Sequence, residues 1–242
     1  MLKLAILISG RGSNMLALIT AIEKQNLHCK IVCTIANKQA QGLEIANAHG
    51  IATKVIARAE YPSKHAHEIA VLNELEEHQP DWIFLAGYMA ILSTEFVDKF
   101  EGKIINIHPS LLPKFKGLNT HKRVLEKGEV RHGTTIHIVT GKLDDGPIIA
   151  QSELSIMAND TPETLESRIL HQEHILYPLI LTSLVNKHLE IRDSKVIWHQ
   201  IPPTINRLSS QENNNAKIVS NAYLKLQNLD LTDCETFDPG AS

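Results

Sequence analysis

Leu4-Ala5-Ile6-Leu7-Ile8 is an unbroken apolar run, the pattern of a strand covered on both faces. It stops at Gly10-Arg11-Gly12-Ser13-Asn14, after which Met15, Leu16, Leu18, Ile19 and Ile22 recur at helical spacing. Ile31 to Ala36 reads as a second strand, and Gly42 to His49 as a helix closed by Gly50. Ala52 to Ile56 is a third short strand, followed by a helix from about Ser63 to His78. Pro80 then introduces the strand Trp82-Ile83-Phe84-Leu85-Ala86. This alternation predicts an α/β fold with a doubly wound, mostly parallel sheet and a Rossmann-like N-terminal half.

The second half is less regular. Ile104 to His108 reads as a strand, the next stretch to Gly117 is rich in turn residues, and a helix is expected around Thr120 to Lys127. Thr134 to Val139 alternates polar and apolar positions, and Ile148 to Leu154 follows Gly146-Pro147, so these two segments pair as strands. Thr161 to Asn186 carries a long helical pattern, with Thr161 as N-cap and Pro162 at the first helical position. Pro178 should kink or divide it. Short strands near Leu189 to Ile191 and Val196 to Trp198 close the body, and Gln211 to Asn215 is a low-complexity polar break. The expected organisation is one domain over residues 1–208 and a polar, acidic, poorly ordered tail over 209–242.

Charge and cysteine usage narrow the class. The formal net charge of the 242 residues is −3. Two lysines against five acids from Ser209 onward account for it. The neutral body has no basic surplus for a nucleic-acid footprint. No apolar run reaches membrane-spanning length, and Leu4 to Ile8 is too short for a signal peptide core. The three cysteines, Cys29, Cys33 and Cys234, make no disulfide framework. Cys29 and Cys33 share strand parity and read as buried thiols, so a cytoplasmic location is expected.

The chemistry concentrates in Asn106-Ile107-His108-Pro109-Ser110-Leu111-Leu112-Pro113. On a strand, Asn106 and His108 project from the same face. An amide that donates to an oxyanion, beside an imidazole that carries a proton, is the minimum equipment for acyl transfer. An isolated Asn-x-His is more often a polar strand end. The Gly10-x-Gly12-Ser13-Asn14 turn, between a strand and a helix, suits a terminal phosphate, with Ser13 able to cap the helix and donate to the anion. Met15 and Ala36-Asn37 depart from a dinucleotide fingerprint, which wants a small residue and a ribose-binding acid there. His65 and His67 point apart on a helix, and His171 with His174 is read as surface or substrate shell; no metal is expected. His137 either lines the site or is a hydrogen-bonded core histidine, and the sequence leaves both open.

Together with Lys114 to Gly117 and Leu143-Asp144-Asp145-Gly146-Pro147, the Asn-x-His-Pro-Ser-Leu-Leu-Pro stretch resembles the folate-dependent formyltransferase family over about Leu2 to Pro203. The resemblance implies transfer of a formyl group from 10-formyltetrahydrofolate, as cosubstrate, to the primary amine of glycinamide ribonucleotide. It implies a catalytic trio of Asn106, His108 and Asp144, with His108 as general acid, Asn106 stabilising the oxyanion and Asp144 supporting the imidazole. It assigns Gly12, Ser13 and Asn14 to the phosphate and Glu173 to the amine end of the acceptor. Met89, Ala90, Ile91 and Leu92, with Thr140, Gly141, Lys142, Leu143 and Asp144, match the segments that line the pterin pocket. Lys64 stands where an arginine can meet the folate carboxylates. The family usually carries arginine at Ala90 and commonly histidine near Asn119, so cofactor affinity is open to change. Within the family, a tRNA-formylating enzyme would need a basic C-terminal RNA-binding domain, and a deformylase usually differs at Pro109-Ser110. A binding module without turnover would lose the trio. Small-molecule partners and a monomer or weak homodimer are expected.

Overall fold

The computed structural model describes residues 1–200 and 217–219. The apolar run at the N-terminus forms β1 (Leu2–Ile8), and period-two alternation splits it between two cores. Leu4, Ile6 and Ile8 belong to one core and Ala5 and Leu7 to the other, and all five are fully buried. The first core is roofed by α1 (Ser13–Lys24), α2 (Gly42–Ala48) and α6 (Pro162–Val185), and the second by α3 (Lys64–His78) and α4 (Thr94–Lys99). A sheet with helices on both faces is the arrangement a continuous apolar strand requires.

The remaining strands are β2 (Cys29–Ala36), β3 (Thr53–Val55), β4 (Trp82–Leu85), β5 (Ile104–His108), β6 (Arg131–Ile138) and β7 (Ile148–Ser155). With β10 (Lys217–Val219) at the edge, the sheet order is β10-β7-β6-β5-β4-β1-β2-β3. The pairs β1–β2, β2–β3, β1–β4 and β4–β5 are parallel, whereas β5–β6 and β6–β7 are antiparallel. A separate hairpin joins β8 (Leu189–Arg192) to β9 (Lys195–Trp198). The chain leaves β1 toward β2 and β3 and then returns to β4 on the other side. That makes a topological switch point at the carboxyl ends of β1 and β4, where open α/β sheets bind ligands. Helix α5 (Thr120–Glu126) covers the turn that follows β5.

Two details depart from the sequence pattern. Helix α4 was not foreseen: it has six residues, of which only Phe96 and Val97 are buried, too few to display a period. Pro178 does not divide α6, which runs unbroken for 24 residues. Its neighbours hold it in place: Tyr177 is fully buried, stacks on Phe84 at 4.9 Å and bonds the Ile105 carbonyl at 3.0 Å. Thr161 caps this helix as expected, through a reciprocal pair of bonds with Thr164. Cys29 and Cys33 are buried thiols, with burial pushing each up to about 12. The expectation for the 209–242 tail falls outside the described residues, apart from Lys217 to Val219 in parallel register with Ala150 to Ser152 of β7.

Candidate active site

Ile105 and Ile107 of β5 join the core under α6, so the period of two turns Asn106 and His108 to the opposite face. There they border a cavity of about 590 Å³. His108 Nδ1 lies 3.5 Å from Asp144 Oδ2, and its Nε2 donates to the Phe115 carbonyl at 3.0 Å. Asp144 sits in the left-handed region (φ 46°), and its Oδ2 accepts the Gly117 N–H at 2.8 Å. The loop that carries it is pinned by Gly146, where a Cβ would fall 1.7 Å from the Ile138 carbonyl oxygen. No side chain can be accommodated there.

His137 is both things that the sequence left open. It lines the cavity and is a satisfied, buried histidine. It faces Asn106 across the antiparallel pair, beside a register shift at Ile136 and His137. The ring donates from Nδ1 to the Ile138 carbonyl (2.9 Å), which leaves Nε2 to accept from Asn106 Nδ2 at 3.1 Å. Burial holds its pKa down, consistent with this neutral tautomer. The bond also fixes the Asn106 amide, leaving its second N–H for a ligand oxygen in the cavity.

The two expected folate segments are brought together. Met89, Ala90, Ile91 and Leu92 border the same cavity as Thr140, Gly141, Lys142, Leu143 and Asp144. Met89 (68% exposed), Ile91 (61%) and Leu118 (72%) offer apolar surface to a flat partner. Lys64 is not among the lining residues. It lies in the first turn of α3, where Glu68 one turn on takes its ammonium at 3.7 Å.

The phosphate-loop residues lie outside that lining but connect to it. Ser13 does not cap α1; Gly12 is the N-cap, in a left-handed conformation (φ 79°) with no side-chain bond. The first N–H groups of α1 still have no intrahelical partner. Asn14 Nδ2 donates to Glu173 Oε2 at 2.7 Å, while Asn14 Oδ1 is buried and unpartnered. Glu173 Oε1 lies 3.3 Å from the hydroxyl of Thr134, which also bonds the His108 carbonyl at 3.0 Å. Burial pushes Glu173 up to about 7, against two hydrogen bonds that pull it down.

Sequence reasoning missed several groups around the cavity. Glu166 borders it and pairs with Arg11, next to Gly12, at 3.3 Å. His121 also borders it and meets the buried His132 at 3.0 Å. Burial, then the like charges of His121 and His108, hold His132 down to about 3, so the pair stays neutral and shares one proton. Neither helix shows these residues by period, because the apolar period of each reports the face turned to the core.

A polarised amide, an imidazole facing a carboxylate and an apolar cleft can protonate a leaving group and hold a developing oxyanion. Residues 2–181 match the formyl transferase family. The chain belongs to that family. The phosphoribosylglycinamide formyltransferase of Escherichia coli K12 is 37% identical over 206 residues, covering 84% of this chain and 97% of the relative. A solved phosphoribosylglycinamide formyltransferase from Coxiella burnetii is 43% identical with a TM-score of 0.77, covering 81% of this chain and 93% of its own. A formyltetrahydrofolate deformylase from Pseudomonas syringae is 26% identical with a TM-score of 0.74, covering 82% of this chain and 66% of its own. The formyl transferase fold expected from sequence is therefore the fold observed.

Proposed function

We propose that this formyl transferase moves the formyl group of 10-formyltetrahydrofolate to the primary amine of glycinamide ribonucleotide, in purine biosynthesis. The observation that carries the reading is the convergence of Asn106, His108 and Asp144 on one cavity, between the 89–92 and 140–144 segments. The cavity volume falls in the range of ordinary small-molecule sites. Both relatives with this activity are matched over nearly their whole length.

The neutral amine attacks the formyl carbon, forming one carbon–nitrogen bond, and the carbonyl oxygen becomes an oxyanion. Asn106 donates its free amide N–H to that oxygen, with orientation set by His137. His108 is the general acid. Its Nε2 is committed to Phe115, so the proton it delivers to the leaving nitrogen comes from Nδ1. Asp144 faces that same nitrogen and holds the ring in position. The bond to the leaving nitrogen breaks, and the proton lost by the attacking amine restores the balance. Gly12 to Asn14 supply main-chain and amide donors to the ribonucleotide phosphate. Glu173, held by Asn14 and Thr134, orients the acceptor behind His108.

The two described thiols, buried and unpaired, fit a reducing cytoplasm, and we expect a monomer or weak homodimer. A single assay separates the acceptors. 10-Formyltetrahydrofolate is offered with glycinamide ribonucleotide, with charged initiator tRNA, or with water alone. Consumption of the donor only with the ribonucleotide is the expected result. Equal consumption in water alone would make the chain a deformylase and overturn the reading.

A further inference from the structure

Asp144 and Gly117 join the two loops that flank His108, and a second contact lies directly beside theirs. Asp145, next in sequence to Asp144, pairs with Lys116, which immediately precedes Gly117. Both contacts run between the same two loops. Behind the 115–118 loop, Arg123 donates to the carbonyls of Lys116 (2.7 Å) and Leu118 (3.2 Å) and lies 5.6 Å over the Phe115 ring. Phe115, whose carbonyl takes His108 Nε2, is left-handed (φ 56°), as are Asn119 (φ 55°) and Asp144 (φ 46°). Three non-glycine residues in that conformation relax unless their surroundings hold them.

We infer that the Lys116–Asp145 ion pair is a latch that positions Asp144 against His108, making Lys116 and Asp145 positioning residues for the formyl transfer proposed above. Neither residue lines the cavity. Their effect passes through the neighbouring backbone: Lys116 and Asp145 fix the separation of the loops, and the Gly117 N–H then meets Asp144 Oδ2. The pair is partly exposed, with side chains 34% and 42% accessible, so its strength depends on salt. The ammonium of Lys142 also acts on Asp145, more weakly than Lys116 does.

The test rests on turnover. Lys116→Met and Asp145→Asn should each lower kcat about two- to fivefold, the range for exposed ion pairs, with KM for the ribonucleotide unchanged. Lys116→Arg should retain wild-type kcat. The exchanged double variant, Lys116→Asp with Asp145→Lys, should recover at least half of the loss. Raising salt should lower wild-type kcat toward that of Lys116→Met while leaving the variant nearly flat. Unchanged kcat in both single variants, or a double variant no better than either, overturns the latch. Should the variants fold poorly, the wild-type salt titration still decides, because a flat profile excludes an electrostatic latch. A wild-type protein that fails to formylate the ribonucleotide defeats the proposed function instead, a separate outcome.

Discussion

Replacing Glu173 by glutamine isolates the energetic cost of the buried acid that the proposed function assigns to the acceptor. The carboxyl is raised from 4.5 to about 7 by burial. Between those values the unfolded chain binds fewer protons than the folded one, so stability falls as pH rises through this window. Integrating the linkage relation over that shift gives a cost of about 3 kcal/mol at pH 8 and under about 1 kcal/mol at pH 5. Glutamine preserves the contacts: its oxygen can accept from Asn14 Nδ2, and its amide can donate to the Thr134 hydroxyl oxygen while that hydroxyl donates to the His108 carbonyl. Glu173→Gln should therefore be more stable than wild type at pH 8, by several degrees in melting temperature, and close to it at pH 5. If Glu173 orients the acceptor as proposed, the variant's turnover should drop, since an acid retained against its own burial is expected at a functional site. Thermal melts of both proteins from pH 5 to pH 8 supply the measurement. Parallel curves with a constant offset would show that Glu173 ionises in the fold as easily as in the unfolded chain, refuting the argument.

Three further outcomes follow from the same geometry. His108→Ala and Asp144→Asn should each lower kcat on the order of 10² or more with little change in KM for the ribonucleotide; near-normal kcat in either sinks the proposed mechanism. Gly12→Val should raise the ribonucleotide KM and lower stability, because a Cβ there meets the Gly42 Cα at 2.7 Å in a left-handed backbone; a dephosphorylated acceptor analogue that binds wild type as well as the ribonucleotide would refute the phosphate assignment. His132, held down from 6.5 to about 3, favours folding above pH 6.5 and loses that contribution as pH falls toward 3. His132→Gln should thus flatten the acid limb of the melting profile, by about 2 kcal/mol at pH 5 relative to pH 8, and an unaltered acid limb would show that the imidazole charges freely in the fold.

The parts of this molecule legible in sequence are those in which neighbours along the chain do the physics. The run Leu4 to Ile8 announces a doubly covered strand because both of its faces are core, and Asn106 and His108 announce a shared face because strand parity is local. Thr161 and Pro162 mark a helix start for the same reason. What escaped turns on contacts and conformations that the pattern of apolar and polar positions does not encode. Lys64 has the right charge for a folate carboxylate, and in the fold its ammonium lies 3.7 Å from Glu68, one turn on, outside the cavity lining. Ser13 has the right chemistry for a cap, but the N-cap position falls to Gly12, in a left-handed conformation with no side-chain bond. Glu166 and His121 reach the cavity from helices whose visible periodicity concerns the core, and nothing near them in sequence marks them out.

The position of the chemistry follows from where the sheet changes character. Strand β5 is the last of the parallel set and the first to pair antiparallel, with β6. Parallel neighbours are joined by long crossovers, which bury both strand faces under helices. An antiparallel partner instead sets side chains directly opposite one another, so Asn106 meets His137 and His108 faces Thr135. On the adjacent register position, Thr134 reaches the His108 carbonyl and Glu173 on the other side of the sheet. One pair of strands thereby ties the His137 imidazole to the Asn106 amide on one face and, through Thr134, the His108 backbone to Glu173 on the other. In β4, the parallel neighbour of β5, the residue in register with Asn106 is Leu85, whose side chain offers no hydrogen bond. The antiparallel pairing of the second half, its least regular feature in sequence, is what gives these polar groups their partners.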